Sequence, residues 1–496
     1  MQPLNVQTLN NINEFSVPNY RTADNKPESG IVHLGPGAFF RGHQAWYTHQ
    51  VMQKLGGDWG ITCVSMRSTG VCDALSPQDG LYTLAVLDAQ TSYEILGSIN
   101  EVFVAGSHHQ QILDKLTSPA CKLVSMTITE KGYCLNNKGE LDLDNVEIKQ
   151  DLSANNQPVT AIGLLVSALA IRKNQGLKPF TVLSCDNLTD NGKKLKAAIV
   201  KFANQVDESL ALWLDDNLIS PCTMVDSITP ATDDALRAQV QDKLEIQDNW
   251  PIKREAFVQW VIEDTLPADC PKWSEVGATL TSDVRGFENA KLRLLNCPHS
   301  TLAYLGVLAG IETVYDAMQN PELVALIQQL IKTEIIPSFV APKELDVNAY
   351  SQAILDRFRN PAIRHLLSQI AWDGSQKLPM RIIPIVEHNL KAGIGIDYLS
   401  VALAAWCLFC RKRFIEQETL VDPLADQLFE IAKNCVDDAN KDVKQFLTLE
   451  AVFPPELAKN EKFVSSLTNA YQVLLPTLRN ANALDLTQLL PQTAEV

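Results

Sequence analysis

The sequence predicts two domains: an α/β half over residues 1–286 and a mainly α-helical half over residues 287–496. Three observations carry this. A chain of 496 residues exceeds what one ordinary core organises. Before about Phe287, short apolar runs alternate with helical patterns, and each run ends in polar residues. Beyond it, apolar residues recur at helical spacing and no credible strand run is present.

In chain order, Gly30-Ile31-Val32-His33-Leu34 reads as a short buried strand. It runs into Gly35-Pro36-Gly37-Ala38-Phe39-Phe40-Arg41-Gly42-His43, and a helical pattern follows through Gln44–Leu55. A strand, a two-glycine turn and a helix start make an anion site, since glycines let a pyrophosphate approach the backbone. The first half is therefore read as a Rossmann-like dinucleotide-binding domain, with Gly35, Gly37, Ala38 and Phe39 as candidate cofactor contacts. Phe40 stands where the third glycine of the fingerprint would be, and a lone G-x-G marks a plain tight turn just as often.

Trp59–Met66 is the second parallel strand. An acid normally follows it to hold the ribose, but here the chain reads Arg67-Ser68-Thr69, which leaves NAD against NADP open. Gln78–Leu87 is a turn and an alternating strand, expected to pair antiparallel with Tyr93–Ile99. Leu123–Glu130 is a further strand whose carboxyl end offers Thr129 and Glu130 at the expected ligand edge. A helix at Ala161–Arg172 precedes the strand Phe180–Cys185, which delivers Asp186-Asn187-Leu188 before a helix from Asn191. Met224–Pro230 repeats the strand and polar tip, and Gln259–Glu263 is read as a strand in a weakly periodic stretch. Helices are then expected at Ser300–Met318, Glu322–Phe339, Asn348–Arg357, Pro361–Trp372, Tyr398–Phe414, Pro423–Ala432 and Phe463–Leu474.

Near the change of character lies Lys291-Leu292-Arg293-Leu294-Leu295-Asn296-Cys297-Pro298-His299. At about 100° per residue, Asn296 and His299 fall roughly 140° and 80° around a helix from Lys291. A lysine, an amide and an imidazole on one face suit proton transfer to a carbon-bound oxygen. The competing reading is an amphipathic helix with a solvated lysine. Cys297 precedes a proline and is biased out of the α region, so a helix start at Pro298 is expected.

The formal charge of −16 argues against nucleic acid and anionic membranes as partners, and an anionic substrate then needs a local basic site. The polar stretch Met1–Phe15 lacks the apolar core of a signal peptide, and the longest apolar run, Val401–Cys410, falls far short of the ~20 residues that span a bilayer. A cytoplasmic location is expected. Eleven scattered cysteines read as reduced thiols, Cys407 and Cys410 included. No zinc-ligand spacing occurs, so no metal is implied. No obligate protein partner is evident.

Taken together, these motifs resemble the mannitol dehydrogenase family, polyol-specific long-chain dehydrogenases that include fructuronate and tagaturonate reductases. The resemblance covers nearly the whole chain. It rests on the Gly35–His43 turn, Pro77–Leu84, Thr127-Ile128-Thr129-Glu130-Lys131-Gly132-Tyr133, Ser184–Leu188, Asp226-Ser227-Ile228-Thr229-Pro230, and Lys291 to His299. It implies metal-independent hydride transfer with NAD, NADP not being excluded. Lys291 would be the general acid/base, Asn187 and Asn296 would polarise the substrate oxygen, His299 would orient a hydroxyl, and Glu288 would be the carboxylate beside the lysine. Cys297-Pro298 departs from the small residues usual in the family at that place. Arg67 joins the cofactor set, and Asp226, Arg364 and Lys377 are the candidate substrate contacts. The segment Asp373–Pro379 resembles the family's second substrate-side segment. Arg364, Lys377 and Arg381 would suit a sugar-acid carboxylate, although a solvated helix face is the plainer reading. The expected small-molecule substrate is a sugar acid or polyol: fructuronate and mannonate first, with mannitol 2-dehydrogenase or tagaturonate reductase activity as alternatives. The rival of another class is a catalytically silent nucleotide-binding protein.

Overall fold

Short apolar runs become strands wherever a second layer can bury both of their faces. In the computed structural model, which describes residues 2–12, 15–22, 25–153 and 157–488, the chain forms two compact units, Met1–Arg285 and Gly286–Val496. The strands of the first unit are β1 (Ile31–Leu34), β2 (Ile61–Ser65), β3 (Tyr82–Leu87), β4 (Ser92–Leu96), β5 (Ile99–Val104) and β6 (Leu123–Met126). They continue with β7 (Thr181–Ser184), β8 (Thr223–Asp226), β9 (Ile252–Glu255), β10 (Gln259–Glu263) and β11 (Thr279–Thr281).

One sheet runs β5-β2-β1-β6-β7, all parallel, with Leu34 in register with Val64 on one side and Met126 on the other. Every residue of β1, β2, β6 and β7 is buried, as a parallel sheet covered on both faces requires. The chain leaves β1 toward β2 and later adds β6 on the opposite side. The carboxyl ends of β1 and β6 therefore flank the switch point where open α/β sheets take ligands. One face is covered by the helix Ala161–Asn174, whose first turn is capped by the Thr160 hydroxyl on Gly163 N–H.

The expected antiparallel pair forms between β3 and β4, but it ends at Leu96. Ile99 begins β5 instead, an edge strand of the main sheet, after Gly97 packs against Pro18 with no room for a Cβ. The stretch after Pro251 holds two strands besides β10. In β9, Arg254 and Glu255 are buried, which no alternation of polar and apolar residues would signal.

Among the described residues of the second unit there are helices and no named strand. The helix that carries Lys291 is continuous from Val284–Ala290 through a π-helical turn, Lys291–Asn296, into Cys297–Leu308. Helix does not restart at Pro298, because Cys297 stays α-helical (φ −66°, ψ −54°) and its N–H reaches back five residues to Leu292 O. The same device recurs at Leu330–Ile335, where the N–H of Ile336, just before Pro337, reaches Ile331 O. A proline lacks the N–H that an α-turn needs, and its ring crowds the carbonyl four residues back. Widening the turn ahead of Pro298 lets the helix pass, whereas at Pro337 it closes in a 3-10 turn, Ile336–Ser338.

Other helices are shorter than expected. The Ser300–Met318 pattern breaks at Gly310 (φ +69°), leaving Cys297–Leu308 and the short turn Val314–Ala317. Of Pro361–Trp372 only Leu367–Ile370 is helical. The chain entering that helix is tied to a neighbouring loop, with Val314 N–H bonded to His365 O and Leu367 N–H to Glu312 O. The long helix Asp397–Ile415 forms as expected and is buried almost all round. Cys407 and Cys410 are buried free thiols within it. Among the described residues no helix is long and apolar enough to cross a membrane.

The amino end of Asp397–Ile415 is capped by Glu334, 2 % exposed, whose carboxylate accepts from Tyr398 N–H and Leu399 N–H, both at 2.9 Å. Burial pushes Glu334 up to about 7, and the two N–H donors offset only part of that. An acid raised in the folded state binds more protons there than in the unfolded chain. Its contribution to stability therefore falls as pH rises from about 4.5 through 7, by roughly 3 kcal/mol. Glu334→Gln should flatten this part of the decline. Thermal midpoints at pH 5 and pH 8 for wild type and variant check it; an equal decline in both would remove Glu334 as its source.

Candidate functional site

In the first unit, three loops meet at the carboxyl edge of the parallel sheet. Gly35 has φ +87°, and a Cβ there would stand 2.2 Å from Thr127 O, so glycine is required by the backbone and by its neighbour. The Thr127 hydroxyl donates to Gly35 O at 2.7 Å. His33, fully buried, lies 3.1 Å from the same hydroxyl through Nε2 and 2.8 Å from Ser125 Oγ through Nδ1. Burial holds its pKa down to about 3, so it is a neutral ring bracing the turn. Phe40, in place of the third glycine, stacks on that ring at 3.5 Å between centroids. An aromatic pair fills the space that close helix–strand packing would otherwise occupy.

Gly37 differs from Gly35. Its φ is −68°, and a Cβ on it would meet only Gly35 O, 4.0 Å away. Nothing internal demands a glycine there; the open space above it is a cradle that a side chain would fill. Ala38 and Phe39 begin the short helix Ala38–Gly42 beside it. A pyrophosphate approaching the backbone uses such a gap, and in this respect the residues fit a dinucleotide.

The loop after β6 carries Thr129 at φ +62°, a strained position for a residue with a Cβ. Asp186 holds it, accepting from Ile128 N–H and Thr129 N–H at 3.0 Å each and from the Tyr133 hydroxyl at 2.7 Å. Burial nonetheless raises Asp186 above the ordinary carboxylate range. Glu130 and Asn187 are exposed, one on each side of this clamp in sequence. Asp226 ends β8, in a different sheet, and is buried. Arg67 follows β2 but turns outward, 81 % exposed and paired with Glu147 at 2.9 Å.

In the second unit, Glu288, Lys291, Asn296 and His299 lie along one helix, all half-buried. Glu288 is one turn before Lys291. The π turn takes more residues per turn than an α-helix, so Asn296, five residues on, sits closer to the Lys291 face than 140°. His299 lies over Phe358 at 5.4 Å and next to His365 at 4.9 Å. Burial first, then His365, Arg381, Arg357 and Lys377 together, push His299 well below its ordinary value, so the ring is neutral. Arg364 does not join this group: it is 71 % exposed and paired with Glu312 at 2.7 Å. Its neighbour His365 faces His299 in its stead. Lys377 is half-buried and donates to Ile370 O at 3.2 Å.

Sequence reasoning did not single out His33, Asp186, Arg357 or His365. Only Asp186 carried a signal, as an acid at a strand tip. Among the described residues, no three His, Cys, Asp or Glu side chains are placed to hold a metal ion.

Residues 29–275 match the mannitol dehydrogenase Rossmann domain, and residues 283–475 match the mannitol dehydrogenase C-terminal domain. D-mannonate oxidoreductase of Escherichia coli (strain K12) is 41 % identical over 456 residues, 90 % of this chain and 93 % of that protein. Solved structures that resemble nearly the whole chain include the following two. The Pseudomonas fluorescens mannitol 2-dehydrogenase ternary complex with NAD and D-mannitol is 34 % identical, with a TM-score of 0.78, 97 % of this chain and 98 % of that one being covered. D-sorbitol dehydrogenase in substrate-free form is 30 % identical, with a TM-score of 0.88 and coverage of 97 % and 99 %.

Gly37→Val tests the cradle. Its backbone angles suit valine and a Cβ there has only Gly35 O within reach, at 4.0 Å, so the thermal midpoint should stay within a degree or two. The dissociation constant for NADH, read by fluorescence titration, should rise at least about tenfold, or about 1.4 kcal/mol. Unchanged NADH affinity would remove Gly37 from the cofactor site.

Proposed function

Because the chain belongs to the mannitol dehydrogenase family, oxidoreductases acting on CH–OH groups, we propose that it interconverts D-fructuronate and D-mannonate with NAD. The single observation that carries the sugar-acid reading is the group of cations around His299, namely Arg357, Lys377 and Arg381. A neutral polyol gains only ordinary hydrogen bonds from such a concentration of positive charge, whereas a carboxylate gains charge-assisted ones, about twice as strong. The 41 % identity to D-mannonate oxidoreductase supports the same reading.

When bound, NADH supplies the hydride to the ketone carbon. Lys291 protonates the oxygen as negative charge develops on it, and in the reverse direction takes the proton back. The Asn296 amide donates an N–H to that oxygen, favouring the charge only as it appears. His299, neutral at working pH, gives or accepts a hydrogen bond at a neighbouring hydroxyl and adds no charge of its own. Glu288 is the carboxylate one helical turn before the lysine. The second reading, mannitol 2-dehydrogenase, is favoured by the likeness to the mannitol-bound structure of that enzyme.

The deciding experiment measures kcat/KM for NADH oxidation with fructuronate, tagaturonate and fructose side by side. Fructuronate should be the best substrate by at least about tenfold; a preference for fructose would establish the mannitol 2-dehydrogenase reading. Run with NADPH as well, the same assay should show NADH preferred, with measurable NADPH use, because no acid follows β2 to repel a 2′-phosphate. Arg67, spent on Glu147, gives a phosphate only an exposed and already paired partner. An NADPH preference of tenfold or more would overturn this assignment.

Lys291→Ala should lower turnover by about 10²–10⁴-fold or more while leaving NADH affinity within a factor of about two. Near-wild-type turnover would discard Lys291 as the acid/base.

A further inference from the structure

The helix Gly374–Arg381 places Lys377 and Arg381 one turn apart. Like charges at that spacing repel, and burial makes both groups harder to keep charged. Among the described residues neither cation has a carboxylate within ion-pair distance. Arg381 Nη1 donates to Ser300 Oγ at 3.0 Å, and Ser300 is buried directly after His299 in the reactive helix. The carboxylates facing Lys377 are Asp373 and Asp422. Asp422 is already taken, accepting from Ser375 N–H, Ser375 Oγ–H and Leu424 N–H. Arg357 and His365 face the same imidazole as Arg381 and Lys377.

In a chain with a net charge of −16, Lys377 and Arg381 are two half-buried cations, one turn apart, with no carboxylate in ion-pair contact among the described residues. A buried charge without a partner is costly, and an anion brought in by a ligand relieves the cost. Arg381 also has the geometry. One arm is fixed on Ser300, which orients the guanidinium fork beside His299, and a fork of that kind binds a carboxylate through two parallel N–H bonds. Arg364, the cation nearer at hand in the sequence, is exposed and already paired with Glu312.

We infer that Arg381, fixed by Ser300 and aided by Lys377, is the residue that receives the substrate carboxylate and so selects sugar acids over neutral ketoses and polyols. This rests on the fructuronate and mannonate reading and assigns the discrimination to one side chain.

Fructuronate and fructose share the ketone and its hydroxyl-bearing chain, and differ in having a carboxylate or a hydroxymethyl at the far end. The full-length enzyme and its Arg381→Gln and Arg381→Lys variants are assayed on both, with saturating NADH. Arg381→Gln should lose about 100-fold in kcat/KM on fructuronate, within the range for a charged hydrogen bond, mainly through KM. On fructose, which has no carboxylate, the loss should be at least about tenfold smaller than on fructuronate, and an unchanged thermal midpoint and NADH affinity report that the variant is folded. Arg381→Lys keeps the charge but not the fork, so it should lose about tenfold on fructuronate alone. It decides the matter if Arg381→Gln does not fold. Equal losses on the two substrates, or none on fructuronate, overturn the assignment of Arg381 and leave the substrate reading standing. A wild type that prefers fructose overturns the substrate reading itself.

Discussion

Pro298 has no N–H to give to its helix, and the shape of the reactive stretch follows from that. The turn ahead of it widens to five-residue hydrogen bonding, Cys297 N–H to Leu292 O, and the helix continues unbroken into Cys297–Leu308. A strictly α-helical path would clash at the proline ring, and a break would scatter Lys291, Asn296 and His299 over a loop. The widened turn keeps all three on one rigid element, the arrangement that the proposed acid/base chemistry needs. A second π turn, Leu330–Ile335, forms before Pro337 for the same reason and lies against the first. It carries Glu334, whose carboxylate caps the buried helix Asp397–Ile415. Two prolines, two widened turns and one buried acid thus tie the reactive helix to the centre of its unit.

The first unit holds its ligand edge by different means. Strand order brings the ends of β1, β6 and β7 side by side, and short polar links then lock the loops. Thr127 bonds Gly35, His33 braces Thr127, and Asp186 restrains the strained Thr129. The strain at Thr129 persists because three donors converge on one carboxylate behind it. Phe40 follows the same logic: where the fingerprint has a glycine, a ring stacked on His33 does the packing.

Electrostatics separates the two units as well. Around the Gly35 turn a neutral histidine and backbone groups hold the loops, so that turn presents dipoles and no side-chain charge. Around His299 the charges are those of side chains, and desolvation keeps the imidazole neutral while cations gather beside it. An anion steered against a net charge of −16 needs such a local reversal of sign.

Local pattern determined a good deal. Buried strands, the two-glycine turn, a lysine, an amide and an imidazole along one stretch, and free thiols in an apolar helix are all set by neighbours a few residues apart. Periodicity and backbone chemistry report those directly. The tertiary structure decided the rest. His365, not Arg364, faces His299, because His365 and Leu367 bond their backbones to the loop at 312–314 and residues 361–366 do not coil into a helix. Arg381 meets Ser300 from 81 residues away, and Asp186 reaches Thr129 from 57. A sequence shows that a side chain can be charged. Whether it ends in water, in an ion pair or half-buried beside a reactive group depends on what folds against it, and no window of neighbouring residues contains that.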